Sequence, residues 1–160
     1  MKKTDCAERL QPLTEEVMAE LIKSSRFEAF YSDNVETLGA PTLTQYLAEL
    51  CESRGITSAQ LLRDVDIERS FGHRIFIGER SLSRDNALKL ALGLKATLKE
   101  TSRILVLSKN NQLYPKIPRD AAIIYCIYYK KSYRETQDNL YDWGMTVLGE
   151  EVKYEKIGKS

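Results

Sequence analysis

Histidine is nearly missing from this chain: His73 stands alone among 160 residues. One histidine cannot furnish the ligand set of a catalytic zinc site, and without a partnered nucleophile and orienting acid it makes no serine triad. Cysteine is sparse too. Cys6, Cys51 and Cys126 lie far apart and are odd in number, so neither a disulfide framework nor zinc-ligand spacing is present. The eight glycines are scattered and form no phosphate-cradling loop. No charge dominates: 24 Lys and Arg face 23 Asp and Glu, a net charge of +1. The basic excess that often marks a nucleic-acid domain is therefore absent from the total. No apolar run approaches the length that crosses a bilayer. Met1-Lys2-Lys3 leads into Thr4-Asp5-Cys6-Ala7-Glu8-Arg9 rather than an apolar signal core. These absences lead us to expect no membrane span, no metal, no cofactor and no enzyme. Carboxylates are plentiful, but no spacing singles out a catalytic pair. Cys51 and Cys126 fall in apolar helical patterns and read as core thiols, which points to the reducing cytoplasm.

What is present is a normal globular composition, 42% hydrophobic and 29% charged, which excludes disorder for the bulk of the chain. Charge is unevenly spread. Residues 1–41 hold five Lys and Arg against eight Asp and Glu, while residues 42–105 hold ten against eight. Helix-start signals recur. A Ser or Thr followed three residues later by Glu or Gln is the capping-box pattern, and it appears at Thr42/Gln45, Thr57/Gln60, Thr97/Glu100 and Ser132/Glu135. Thr14 and Ser83 read as simpler N-caps, with acidic residues following that suit the helix dipole.

Apolar residues follow these caps at helical spacing. The stripes are Leu43, Leu47, Leu50 and Cys51 with Tyr46 beside them; Leu61, Leu62 and Val65; Phe71 and Ile75; Ala87, Leu88, Ala91 and Leu94; and Leu98, Ile104 and Leu105. Breaks fall at Gly39-Ala40-Pro41, Gly55, Gly78 and Leu113–Pro118. The run Ile123–Tyr129 is rich in strand formers, but its flanks are helical, so it reads as a buried helix. The expected fold is all-α. It comprises an acidic helical leader (1–41), a five-helix unit (42–108), a C-terminal helical hairpin (109–149) and a frayed polar tail (150–160).

Within the five-helix unit, Gly55-Ile56-Thr57 opens a short helix over about Ser58–Val65. Asp66-Ile67 makes a tight turn, and a second short helix runs over about Glu68–Ile77 to Gly78, a C-cap glycine. This is helix-turn-helix spacing.

Here the chain resembles the phage-repressor-like, or XRE-type, helix-turn-helix family, without a gap from about Leu43 to Glu100. The resemblance rests on Gly55-Ile56-Thr57, Leu61, Ile67, Arg69-Ser70, Arg74-Ile75 and Gly78. It continues through Ser83, Leu88-Lys89-Leu90-Ala91, Leu94 and Thr97-Leu98-Lys99-Glu100. The hairpin, with Leu113-Tyr114-Pro115 and Arg119-Asp120-Ala121, looks like an extension seen in some regulators of this group. The resemblance implies a lambda-repressor-like DNA-binding domain whose second motif helix enters the major groove of double-stranded DNA. The chain departs from the family at four places. Asp66 replaces the turn glycine, Leu62 a small residue, Ser58 a DNA-touching glutamine, and the common polar start of the second helix is Glu68, a carboxylate.

The DNA contacts implied are Arg69, Ser70, His73 and Arg74 on the second helix, with Ser58, Arg80 and Arg84 toward the backbone. The expected function is a sequence-specific transcriptional regulator acting as a homodimer. The alternative is an interaction module that kept the fold and lost DNA affinity, as Glu68, Ser58 and the near-neutral charge favour. The hairpin aromatics Tyr125, Tyr128, Tyr129, Tyr133, Tyr141 and Trp143 are too many for one helix face. They read equally as core packing or as a surface for another protein or a second copy.

Overall fold

A computed structural model of the chain describes residues 6–35, 38–39 and 41–150, with side chains from residue 15 onward. Among the described residues the secondary structure is helical, with no strand. The leader holds α1 (Cys6–Lys23) and α2 (Phe27–Asn34). Five helices follow: α3 (Leu43–Arg54), α4 (Ser58–Asp64), α5 (Arg69–Phe76), α6 (Arg84–Gly93) and α7 (Leu98–Leu107). The hairpin is α8 (Pro118–Tyr128) and α9 (Tyr133–Asp142), so the strand-rich run from Ile123 is helical. No helix among these is long and apolar enough to cross a membrane. The polar tail lies, from residue 151 on, outside the described residues.

The capping residues set most of the boundaries. Reciprocal capping boxes form at Thr42/Gln45, Thr97/Glu100 and Ser132/Glu135. Thr57 accepts from the Gln60 amide and Ser83 from the Asn86 amide. Thr14 does not cap a helix. It lies inside α1, which continues back to Cys6 through Pro12 and the helix formers Ala7, Glu8, Arg9, Leu10 and Gln11; Pro12 opposes that continuation, and the sequence offers no local reason why it is overcome.

One hydrophobic core runs through the five-helix unit and the hairpin. Tyr46, Leu47 and Leu50 from α3, Leu61 from α4, Ile75 from α5, Leu88 and Leu90 from α6, and Ile104 and Leu105 from α7 are buried. Ile123, Ile127, Tyr133, Leu140 and Leu148 complete it from the hairpin. Each fully buried Leu or Ile contributes roughly 1.5–3 kcal/mol. Cys51 and Cys126 are free and buried, and burial pushes the Cys51 thiol up to about 11, which keeps it unreactive.

Two Arg-Asp dipeptides, each in the first turn of its helix, fasten the hairpin to the five-helix unit by crossing partners. Arg84 at the start of α6 binds Asp120 of α8 through two hydrogen bonds of 3.0 and 2.8 Å. Arg119 of α8 returns two bonds of 3.0 Å to Asp85 of α6. Burial raises both carboxyl pKa values, but the arginine hydrogen bonds and charges prevail, helped by the Gly149 amide at Asp85 and the Tyr114 amide at Asp120. Both carboxyls end below the ordinary Asp value. A third ion pair, Arg54–Glu100, ties α3 to the start of α7.

Candidate nucleic-acid interface

The α4–α5 unit is built around a tight turn. Its backbone closes with Ile67 N–H donating to Leu62 O at 3.0 Å and Val65 N–H to Leu61 O at 3.2 Å. Asp66 adopts φ +54, the left-handed region that Asp enters more easily than most side chains, so the turn closes without a glycine. Buried Ile67 then anchors the turn in the core. Lys89, also buried, braces it from beneath: its ammonium lies 3.4 Å from the Asp66 carbonyl and 5.6 Å from the centre of the Tyr133 ring. The turn and the hairpin therefore share one cation.

Packing between the two short helices explains the pairing of Leu62 with Gly72. Leu62 is buried, and a Cβ placed on Gly72 would fall within 3.0 Å of three Leu62 side-chain carbons. The large residue on α4 is accommodated because α5 presents no side chain opposite it. This contact also sets the rotation of α5. Gly72 and Ile75 face inward, while Phe71, expected in the apolar stripe with Ile75, is turned out and 37% exposed.

The outward side of the unit holds an open groove of about 410 Å³ lined by Ser58, Ala59, Leu62, Arg69, Ser70 and His73. Four of the seven expected contact residues thus converge on one concavity. Arg69 and His73 are one helical turn apart on α5 and share a face. Ser58 enters from the first turn of α4. An adjoining cleft of about 400 Å³, lined by Ala59, Leu62, Arg63, Ile67 and Arg69, brings in Arg63, a cation not picked out from the sequence. Its i, i+6 offset from Arg69 carries no sequence signal; only the turn places the two side chains at the same cleft.

The other expected residues lie elsewhere. Arg74 is exposed on α5 outside the groove, and its charge acts on Glu68. Arg80 is exposed in the loop beyond α5. Arg84 is occupied: besides Asp120, its guanidinium donates to the carbonyls of Asn111 at 3.0 Å and Gln112 at 3.1 Å. It is a structural clamp between α6 and α8. The recurrence of Arg-Asp in two helix starts is the only sequence trace of that role.

Glu68 is the N-cap of α5. Its carboxylate accepts from the Ser70 amide at 2.9 Å and the Phe71 amide at 2.7 Å, and these two bonds hold its pKa below the ordinary Glu value. The carboxylate that would face phosphates unfavourably is therefore tied to the positive end of the helix. Among the described residues no cluster of three His, Cys, Asp or Glu could hold a metal ion. Comparison with known proteins finds no matching family model and no similar curated protein or solved structure.

Proposed function

We propose that this chain is a sequence-specific, double-stranded DNA-binding transcriptional regulator of the phage-repressor-like type, which inserts α5 into the major groove and acts as a homodimer. The observation that carries this reading is the convergence of Ser58, Arg69, Ser70 and His73 on one open groove at a tight two-helix turn. Arg69 and His73 supply donors at the spacing needed to meet neighbouring base edges, where an arginine fork pairs with guanine. Arg63 and Arg80 are exposed cations suited to phosphate. Glu68 opposes binding less than its charge implies, because two backbone amides satisfy it.

A second reading rests on the same residue. By capping α5, Glu68 occupies amides that could otherwise bind a phosphate, which suits an interaction module that has given up DNA. Fluorescence anisotropy with mixed duplex DNA across a salt series separates the two. A regulator binds with an affinity that falls steeply with salt; an interaction module shows no such binding.

A further inference from the structure

We propose that the chain pairs with a second copy of itself by exchanging leaders, the α1–α2 segment of each copy seating on a lysine-rimmed aromatic groove between α7 and α8 of the other. The proposal deepens the homodimer of the preceding reading and does not depend on DNA.

The leader offers one half of the contact. Along α1 and α2, Met18, Leu21, Ile22, Phe27, Tyr31 and Val35 are all exposed, Ile22 by 75%, and Phe30 is the buried apolar side chain of α2. Met18 and Ile22 share one helix face, as do Phe27 and Tyr31. An apolar surface this continuous is unusual unless something covers it. The same stretch carries Glu15, Glu16, Glu20, Glu28 and Asp33 against Lys23 and Arg26, so it is acidic as well as apolar.

The groove offers the other half. It encloses about 390 Å³ and is lined by Thr97, Leu98, Lys99, Ile127, Tyr128 and Lys130. Its one aromatic lining residue, Tyr128, begins a connected set outside the groove: the Tyr128 and Tyr129 rings lie 5.0 Å apart, Tyr129 and Tyr125 4.6 Å, and Tyr125 and Trp143 6.1 Å. All four rings are exposed. Lys95 and Lys130 join the rim by donating to each other's carbonyls at 2.9 and 3.0 Å, which leaves both ammonium charges in place. Two lysines beside the groove have ion-pair partners, Lys131 with Glu135 at 4.0 Å and Lys99 with Glu15 at 3.3 Å, and Glu100 is tied to the Thr97 cap. The Lys99–Glu15 contact is made within one chain between two exposed side chains, so it sets the leader beside its own groove without entering the groove lining.

Within one chain α1 packs on α3 and touches the groove's edge through Glu15 and Lys99, while Met18, Ile22, Phe27 and Tyr31 of the leader and Tyr128 of the groove stay exposed. The two surfaces are opposite in charge and both rich in apolar area, so the complement each lacks is carried by an identical molecule. A two-fold arrangement satisfies both contacts at once.

The test uses the full-length chain without DNA. Sedimentation equilibrium is run on the wild type, on K99E/K130E, on E16K/E28K, and on an equimolar mixture of the two variants. Circular dichroism checks that each variant is folded. Wild type is expected to dimerise at micromolar to hundreds of micromolar concentrations. Each variant alone should self-associate at least about tenfold more weakly. The mixture should recover wild-type association, because a mixed pair places each leader opposite a groove of opposite charge. A monomeric wild type, a dimer indifferent to both double substitutions, or a mixture that fails to recover would each overturn the proposal.

Discussion

Replacing Gly72 by alanine tests the packing that orients α5, and the sign of the effect is the informative part. In an exposed helix interior this change stabilises by about 1 kcal/mol, because alanine has the higher helix propensity. Here the new methyl would sit within 3.0 Å of Leu62 side-chain carbons, the branching Cγ among them. Leu62 is 2% exposed and borders the open groove; turning its methyls that way would expose apolar surface, so the clash is only partly relieved, and overpacking of this kind costs roughly 1–3 kcal/mol. The clash outweighs the propensity gain, and Gly72→Ala should destabilise the fold by about 1 kcal/mol. Urea denaturation at neutral pH measures it. The double variant G72A/L62A provides the control: Leu62→Ala alone leaves a cavity costing about 2–5 kcal/mol. With Gly72→Ala added, the methyl should partly fill that cavity, giving a coupling of about 1–2 kcal/mol. If G72A is instead more stable than wild type, or if the two substitutions simply add, the Leu62–Gly72 contact does not set the α4–α5 geometry.

Arg84→Ala should act on stability, not on phosphate: the Asp120 side chain, 2% exposed, keeps the Tyr114 amide but loses its guanidinium, which costs on the order of 3 kcal/mol in thermal or urea unfolding. The carboxyls of Asp85 and Asp120 are held below their ordinary value in the fold, so their contribution is complete above that value and fades as pH falls through the lowered ones. Stability should therefore drop on acidification below about pH 4, and the drop should be shallower in D85N/D120N, as read from urea midpoints at several pH values. Glu68→Gln removes a charge near the groove and weakens the cap of α5. It should tighten DNA binding while lowering the melting temperature, whereas tighter binding with no loss of stability would show that the cap contributes nothing.

Most of the helical plan was legible in the sequence because capping is local chemistry. A hydroxyl and a Glu or Gln three residues on announce a helix start wherever they occur, and Thr42, Thr97 and Ser132 begin helices as their spacing demands. Thr14 shows the limit: a hydroxyl with acids after it but no Glu or Gln three residues on does not start a helix, and α1 runs back past it to Cys6 in spite of Pro12. The turn at Asp66 was legible because the cost of a left-handed Asp is small. The outward rotation of Phe71 was not, since Phe71 and Gly72 both fit a helix and the Leu62 contact decides which of them faces the core. For the site, Ser58, Arg69, Ser70 and His73 are grouped by what the family resemblance implies, and spacing alone puts only Arg69 and His73 on one helix face. Arg84 could not be removed from that group, because its partner Asp120 is 36 positions away. The hairpin aromatics divide in a way composition could not foresee: Tyr133 is buried under the turn, while Tyr125, Tyr128, Tyr129, Tyr141 and Trp143 are exposed.

The central claim is that α5 reads base sequence from the groove shared with α4, and anisotropy of Arg69→Ala and Arg80→Ala on a library-selected duplex and a scrambled one, across a salt series, tests it most directly. Arg69→Ala should cost about 1–3 kcal/mol on the selected site and relax preference at one base position, with little change on the scrambled duplex. Arg80→Ala should weaken both duplexes alike and reduce the salt slope by about one. A wild-type chain that selects no site from a randomised library, or an Arg69→Ala chain that discriminates as well as wild type, would contradict the claim.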